Sequence, residues 1–224
     1  MLRRKRGIYD DSFKAQLTEQ FRTIRTNIRF SARDKAVKAI TVTSCNPGEG
    51  KSTVIANLAL SMAQTGKTVV ILDCDLKKPT IHKKFNLNND EGLTNVLVGD
   101  RSLGEVIKAP DFRNIHIVTS GPIPPNSSEL LNTSCIREIV NELSCKYDMV
   151  LLDTPPVLYI SDALILSAVS QGTILVCVYG KTDMVQLRRA KEVIEKAGGK
   201  ILGAVVNKAP KKYGRKIGKY YSGI

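Results

Sequence analysis

The sequence predicts an α/β domain with a doubly wound, mostly parallel sheet flanked by helices. Apolar runs of strand length alternate with runs of helical periodicity along most of the 224 residues. A glycine-rich turn at residues 43–53 joins one strand to a helix, and two other apolar runs end in aspartate. Ligands of a doubly wound sheet lie at the carboxyl ends of its strands, so these turns define the candidate site.

The first half of the chain begins with a helix whose apolar residues recur at 4-3-4 spacing. Val69 to Leu72 is wholly apolar, which indicates a strand buried on both faces of a parallel sheet. We expect, in order, a helix with the stripe Leu17, Phe21, Ile24 and Ile28, strand Val37–Thr43, helix Ser52–Gln64, strand Thr68–Asp73 and a helix around Thr94–Val98, with residues 76–112 less regular.

The second half repeats the alternation. Pro155-Pro156 ends one of its strands, and Gly198-Gly199 closes one of its helices. We expect strand Ile115–Thr119, a helix capped by Asn126 with Glu129 and ending near Ser144, strand Asp148–Asp153, strand Ile174–Val178, helix Thr182–Ala197 and strand Ile201–Val206.

The formal net charge of +13 is concentrated at the two ends of the chain. The basic residues are Arg3, Arg4, Lys5 and Arg6 at one end and Lys208, Lys211, Lys212, Arg215, Lys216 and Lys219 at the other. We therefore expect a basic flexible lead at 1–16, one folded domain at 17–207 and a basic tail at 208–224. Such ends suit anionic lipid, nucleic acid or an acidic partner, and equally suit solvated ends without a fixed partner.

Several protein classes are disfavoured by composition. Aromatic residues are 5% of the chain and no nucleic-acid-binding motif is visible, so we expect no nucleic-acid partner. No apolar run approaches 18 residues and no secretory signal is present, which predicts a soluble intracellular protein without a membrane span. The five cysteines include no C-x-x-C pair, so we expect free thiols rather than a metal cluster.

The glycine-rich turn has the pattern of a phosphate-binding loop. We expect backbone N–H groups from Gly48 to Ser52 to meet the β-phosphate, Lys51 to reach the β- and γ-phosphates, and Ser52 to bind Mg²⁺. Cys45 stands where the pattern usually has its first glycine, and an ordinary glycine turn is the alternative. The loop predicts ATP or GTP binding by Pro47, Gly48, Glu49, Gly50, Lys51, Ser52 and Thr53.

Aspartates end two of the predicted strands. Asp73 and Asp75 follow one apolar run and Asp153 ends another, as in the metal-holding strand of P-loop NTPases. Asp73 and Asp75 are two residues apart, so in an extended chain their side chains point the same way. One carboxylate can organise Mg²⁺ while the other accepts a proton from an attacking hydroxyl. An ATPase that activates only water could use the same pair.

The last predicted strand leads into Asn207-Lys208. P-loop proteins often contact the base at this place, and asparagine offers the paired donor and acceptor that an adenine edge requires. A simple turn is equally consistent with these two residues.

Several motifs in one order resemble those of the bacterial tyrosine kinases, which use P-loop machinery and are unrelated to eukaryotic protein kinases. The resemblance covers roughly residues 17–224. One departure is Lys77, where the family's second acidic motif usually has arginine; lysine keeps the charge but loses the planar fork. The motifs are residues 47–53 (Walker A), 72–80 (Walker A′), 151–156 (Walker B) and 119–126, with Glu19, Arg22 and Arg25 in the family's oligomerisation motif.

The resemblance implies a P-loop kinase domain at 17–207 and a role for each motif residue. Lys51 and Ser52 bind phosphate and Mg²⁺, Asp75 and Asp153 help to hold the metal, and Asp73 is the base for a tyrosine hydroxyl. The family's subunits form a homo-oligomeric ring and phosphorylate one another's tails. The implied catalytic residues are Lys51, Asp73, Asp75 and Asp153, and the implied phosphorylation sites are Tyr213, Tyr220 and Tyr221.

The resemblance also implies partners. A chain of this type without a membrane span works in the cytoplasm, at the inner face of the membrane, with a separate transmembrane modulator of capsular or extracellular polysaccharide synthesis. Its substrates include tyrosines of other proteins. Two alternatives stay open: an ATP-binding assembly module with little kinase activity, and a partitioning or division-site ATPase switch. Asn46 disfavours the switch, whose class has lysine five residues before the P-loop lysine.

Overall fold

The computed structural model describes residues 11–31, 37–124, 127–131 and 133–210. The predicted tail tyrosines Tyr213, Tyr220 and Tyr221 and the predicted cap Asn126 lie outside these residues. No helix in the described ranges combines the length and apolar character that crossing a bilayer would need.

A seven-stranded sheet forms the centre of the described domain, with the order β3-β4-β2-β5-β1-β6-β7. Only β3 is antiparallel to its neighbour; the remaining pairs are parallel. The predicted doubly wound, mostly parallel sheet is confirmed. Its strands are β1 Ala39–Ser44, β2 Val69–Asp73, β3 Ile107–Lys108, β4 Ile115–Val118, β5 Met149–Asp153, β6 Gly172–Val178 and β7 Ile201–Asn207.

Helices cover both faces of the sheet. Side chains of α1 and α2 pack on one face, whereas those of α7 and α8 pack on the other and α9 joins α8 near β6. Burying each large apolar side chain stabilises such a core by about 2 kcal/mol. The helices are α1 Asp11–Ser31, α2 Lys51–Ala63, α3 Ile81–Lys84, α4 Leu93–Leu97, α5 Leu103–Val106, α6 Ser127–Leu130, α7 Thr133–Lys146, α8 Asp162–Val169 and α9 Met184–Lys196.

The first helix confirms the predicted apolar stripe and extends beyond it. Phe21 and Ile28 are buried, and Leu17 and Ile24 pack against the same cluster. The prediction of irregular structure up to residue 16 is wrong for residues 11–16, because α1 begins at Asp11. The residues that follow Asp11 in the sequence include good helix formers.

The single helix predicted to end near Ser144 is two helices. The first, α6, ends at Leu130, and α7 begins at Thr133. Leu131, between them, is fully buried. The connection therefore buries a leucine and restarts the helix.

Candidate active site

The glycine-rich turn forms a loop that ends directly in α2. Gly48 and Gly50 have φ of 75° and 97°, a left-handed conformation that glycine adopts without strain. Cys45 needs no such freedom, and burial raises the pKa of its thiol to about 12, so it is uncharged. The N–H groups that begin a helix attract anions, so the loop has the backbone of a phosphate site.

Glu49 supports the loop from inside. Its side chain is only 4% exposed. One carboxylate oxygen accepts from the Asn46 backbone N–H at 3.0 Å, and the other accepts from the Asn46 amide at 3.1 Å and from the Thr182 hydroxyl. The Asn46 amide also donates to Gln186 on α9 at 3.0 Å. Glu49, one of the residues predicted to bind ATP, therefore helps to hold the loop against the start of α9.

Asn207 also supports the loop. Its Nδ2 donates to the Glu49 carbonyl at 2.8 Å, and its Oδ1 accepts from the Lys208 N–H at 2.8 Å. Lys208 Nζ donates to the Gly48 carbonyl at 2.8 Å. A Cβ added to Gly50 would lie 2.2 Å from Asn207 Nδ2, so only glycine allows this approach. Each end of the Asn207 amide keeps one further donor or acceptor position, so the adenine contact predicted for it stays a prediction.

The sheet brings the three predicted aspartates to one edge. β2 and β5 are parallel neighbours whose register pairs Asp73 directly with Asp153. The Cys74 N–H donates to the Asp153 carbonyl at 2.8 Å, which extends the pairing past the strand end. Asp75 follows, and it lines the same cavity as Lys51 and Ser52.

Asp73 is fully buried and held by backbone donors. Its Oδ1 accepts from the Asp75 N–H at 3.3 Å and its Oδ2 from the Ile81 N–H at 3.1 Å. Burial, and next the charge of Asp153, raise the pKa of Asp73 well above its ordinary value. A carboxylate with a raised pKa is a better proton acceptor, as the predicted base requires.

Asp153 has two buried oxygens without a hydrogen-bond partner among the described residues. Burial raises its pKa to about 7, against the opposite effects of the Ser52 hydroxyl and the Lys51 ammonium. Burial also raises the pKa of Asp75, whose Oδ1 accepts from the Lys78 N–H at 3.0 Å. Unpaired buried carboxylate oxygens are costly, so this site favours a cation or an ordered water.

A cavity of about 700 Å³ opens beside these groups, a volume suited to a small-molecule ligand. Of the predicted residues, Glu49, Asp73, Asp153 and Asn207 do not line it. Sequence reasoning missed Lys83, Lys84, Tyr159 and Ile160, which no motif marks, and gave no role to Thr80, which ends the Walker A′ motif. The lining residues are Pro47, Gly48, Gly50, Lys51, Ser52, Thr53, Asp75, Lys77, Lys78, Thr80, Lys83, Lys84, Pro156, Tyr159 and Ile160.

The three residues of the predicted oligomerisation motif lie on α1. Arg22 pairs with Glu19 at 3.1 Å, and both side chains are about half exposed. Arg25 is directed to the neighbouring helix, where it donates to the backbone oxygen of Ser61 and lies 3.4 Å from the Ser61 hydroxyl. Glu19 and Arg22 are thus free to face another subunit, whereas Arg25 joins α1 to the P-loop helix.

Comparison with known proteins identifies the family. An AAA domain model matches residues 37–195. The chain is 45% identical over 207 residues to tyrosine-protein kinase YwqD of Bacillus subtilis, which covers 92% of this chain and 85% of that protein. The chain belongs to the bacterial tyrosine kinase family. Putative tyrosine-protein kinase CapB of Staphylococcus aureus is a further relative, with 39% identity over 89% of this chain and 88% of its own length.

Solved structures agree with this membership of the bacterial tyrosine kinases. The chimerical protein CapA2B2 superposes with a TM-score of 0.81 at 41% identity, covering 86% of this chain and 84% of its own. The kinase domain of Escherichia coli tyrosine kinase ETK gives 0.81 at 30% identity, over 86% and 77% of the two chains. The septum site-determining protein MinD with Mg-ADP, from Pyrococcus horikoshii, gives 0.67 at 24% identity over 80% and 76%, and shares the fold.

Proposed function

We propose that this protein is an ATP-dependent tyrosine kinase that phosphorylates tyrosines of its own tail in trans, within a homo-oligomeric ring. The observation that carries the proposal is the shared cavity. It joins the P-loop residues Lys51 and Ser52 to Asp75, beside the buried Asp73 and Asp153. The same chain is 45% identical to a protein named a tyrosine kinase across most of both lengths, which favours transfer to tyrosine over a water-only ATPase.

The residues beside the P-loop fit Mg²⁺. Asp153 offers two buried oxygens without a partner in the described structure, and Ser52 and Asp75 line the adjoining cavity. Among the described residues no three His, Cys, Asp or Glu side chains are grouped for a metal, which agrees with an ion that is held largely by phosphates and water. When bound, Mg²⁺ would supply charge neutralisation at the ATP phosphates.

The transfer forms one bond and breaks another. The tyrosine oxygen bonds to the γ-phosphorus, the bond from that phosphorus to the β,γ-bridging oxygen breaks, and ADP leaves. The hydroxyl proton passes to the Asp73 carboxylate, while Lys51 stabilises negative charge on the phosphates. We expect most of the rate acceleration to come from positioning and charge stabilisation, as in other phosphoryl transfers.

The proposed acceptors are Tyr213, Tyr220 and Tyr221, in the chain that follows β7. Exposed Glu19 and Arg22 on α1 supply charges for the subunit contact that brings one subunit's tail to the next. Transfer in trans is proposed from the family resemblance.

We further propose that the kinase acts in capsular or extracellular polysaccharide synthesis, with a transmembrane modulator at the inner face of the membrane. The similarity to CapB supports this assignment. So does tyrosine-protein kinase wzc of Salmonella typhimurium, in which the matched region is 26% of a longer protein. A region that is part of a longer protein in one relative could act with a separate partner in this chain. Addition of the modulator's cytoplasmic tail should then raise phosphotyrosine formation.

The deciding experiment incubates purified protein with Mg-ATP and maps phosphotyrosine by mass spectrometry, beside a Lys51→Met control. Phosphate on Tyr213, Tyr220 or Tyr221 that is lost in the control would support the kinase. Release of phosphate with unmodified tyrosines, both alone and with the modulator tail present, would instead indicate an ATPase switch. Neither product under either condition would indicate an assembly module.

A further inference from the structure

A second cavity of about 450 Å³ adjoins the nucleotide cavity, and we call it the basic groove. Four of its residues also line the nucleotide cavity, so a molecule in the groove lies next to a bound nucleotide. The shared residues are Lys77, Lys78, Thr80 and Lys83. The groove continues along Pro79 and His82 to a second wall formed by Asn89, Gly121, Pro122 and Ile123.

The second wall is fixed by hydrogen bonds. Asn89 Oδ1 accepts from the Gly121 N–H at 3.1 Å, and Asn89 Nδ2 donates to the Gly121 carbonyl at 2.7 Å. The same side chain contacts the Ser120 hydroxyl at 3.1 Å and 3.2 Å. Ile123, which follows this fixed segment, is 64% exposed. The groove is therefore a preformed surface on which Ile123 offers an exposed apolar contact, and a preformed surface lowers the entropy cost of binding.

The charged side chains that line the basic groove are all positive. No Asp or Glu is among its described lining residues. Within the described structure Lys77, Lys78 and Lys83 form no ion pair with a carboxylate. Burial, followed by the charges of Lys83 and Lys108, lowers the pKa of His82, so the histidine adds no charge at neutral pH. Three unpaired ammonium groups at one cavity favour an anionic ligand.

The tail of this chain is a poor electrostatic match for the groove. Lys211, Lys212, Arg215, Lys216 and Lys219 lie around its tyrosines, and no Asp or Glu follows Glu195. Like charges placed opposite each other weaken association, so entry of the tail depends on the subunit contact of the proposed ring and not on the charge of the groove. The groove is therefore matched to a segment of opposite charge.

We propose that the basic groove binds an acidic, tyrosine-bearing segment of another protein as a kinase substrate. The inference rests on the proposed function, because it names the substrate class for the same site. Carboxylates near the acceptor tyrosine pair with Lys77, Lys78 and Lys83, and an apolar neighbour packs on Ile123. The proteins that this kinase modifies, other than itself, then carry their tyrosines in acidic sequence.

A binding measurement tests the groove without depending on phosphate transfer. Two fluorescein-labelled tyrosine peptides of equal length, one flanked by glutamate and one by lysine, are titrated with full-length protein saturated with Mg-ADP. We expect the glutamate peptide to bind at least about tenfold more tightly, and this preference to shrink as salt rises. Equal binding of the two peptides would overturn the proposal. Loss of binding on addition of Mg-ADP would show that the lysines serve the nucleotide alone, and would overturn it too.

Matched variants locate the binding. Ile123→Glu places a negative charge on the groove wall outside the nucleotide cavity, and Val98→Glu places one at a comparably exposed apolar position, 57% exposed, outside the groove. The first should weaken the glutamate peptide about tenfold, and the second should leave it unchanged. Equal effects would contradict the groove. Absence of tyrosine phosphorylation by wild-type protein would defeat the kinase assignment while leaving this binding result interpretable.

Discussion

At the scale of single residues, the two carboxylates that follow β2 have different surroundings. Asp73 is fully buried with both oxygens hydrogen-bonded, whereas Asp75 is partly exposed and lines the nucleotide cavity. Burial raises the pKa of both, and the charge of Asp153 adds to the rise at Asp73. The family resemblance assigns the proton to Asp73 and the metal to Asp75; the raised pKa of Asp73 suits a base, and the place of Asp75 on the cavity wall suits a metal ligand.

The assignment predicts different kinetics for Asp73→Asn and Asp75→Asn. A base must be deprotonated to accept the proton, so the rate falls when the pH drops below its pKa. Because the pKa of Asp73 is raised, this acid limb of the rate profile lies at a higher pH than it would for an ordinary aspartate. In wild type, kcat for a tyrosine peptide should therefore rise with pH through this raised pKa. Asp73→Asn should lower kcat about 10²–10⁴-fold and remove the limb.

Asp75→Asn should keep the acid limb and instead raise the Mg²⁺ concentration needed for half-maximal rate. Fluorescent ADP binding with and without Mg²⁺ checks that the nucleotide site is intact in both variants. If Asp75→Asn removed the limb and Asp73→Asn kept it, the two roles would be reversed.

At the scale of elements, the P-loop is supported by the ends of two neighbours in the fold. The start of α9 reaches it through Gln186, and the preceding Thr182 bonds Glu49. The end of β7 reaches it through Asn207 and Lys208. These contacts fix the loop before a nucleotide binds, and preorganised donors are more effective than mobile ones.

Gly50→Ala is predicted to disrupt this support. The new Cβ would meet Asn207 Nδ2 at 2.2 Å, at a φ of 97° that alanine adopts only with strain. We expect fluorescent ADP to bind at least about tenfold more weakly, because the β7 contact must move. Gly66→Ala is the matched control, since it has a φ of 85° but nothing within 4 Å of the added atom.

The control should lose about 1 kcal/mol of unfolding free energy while keeping its nucleotide affinity. Equal nucleotide affinity of Gly50→Ala and wild type would show that the β7 contact does not support the binding loop. Thermal unfolding of both variants separates weak binding from loss of the fold.

How well an element can be predicted from the sequence depends on its length. Long apolar strands such as Val69–Asp73 were predicted within a residue or two because burial on both faces leaves an uninterrupted pattern. The four-residue α3 Ile81–Lys84 is too short for a periodicity, so Lys83 and Lys84 were missed at the nucleotide cavity. The sequence also does not reveal the supporting contacts of the Glu49 and Asn207 side chains, because a motif gives a position in the chain but not the direction of a side chain.

At the scale of the whole molecule, transfer in trans means that one subunit provides the active site and another provides the tail tyrosine. Two variants divide these roles. Lys51→Met keeps the tail tyrosines but loses the P-loop lysine, and a triple variant with phenylalanine at Tyr213, Tyr220 and Tyr221 keeps the P-loop but offers no acceptor.

Mixing the two variants with Mg-ATP should place phosphotyrosine on the Lys51→Met chain, although each variant alone stays unmodified. Distinguishing the chains by mass identifies which one is labelled. Charge reversal of the exposed pair, by Glu19→Arg, should reduce this transfer if α1 forms the subunit contact. A mixture that stays unmodified, beside wild type that is labelled at a rate independent of protein concentration, would instead show modification within one chain.

The bond between β7 and the P-loop has a mechanical consequence. Lys208 contacts the carbonyl of Gly48, and the chain continues from that lysine towards the tail tyrosines with no intervening strand before Pro210. Capture of the tail by a neighbouring subunit, as the proposed function requires, would therefore act on the P-loop through Lys208. A neighbour that captures the tail and a nucleotide that fills the loop then influence each other equally, since coupling between two binding events is reciprocal. Under the proposed function, assembly of the ring and release of ADP would therefore be thermodynamically linked through the contact between Lys208 and Gly48.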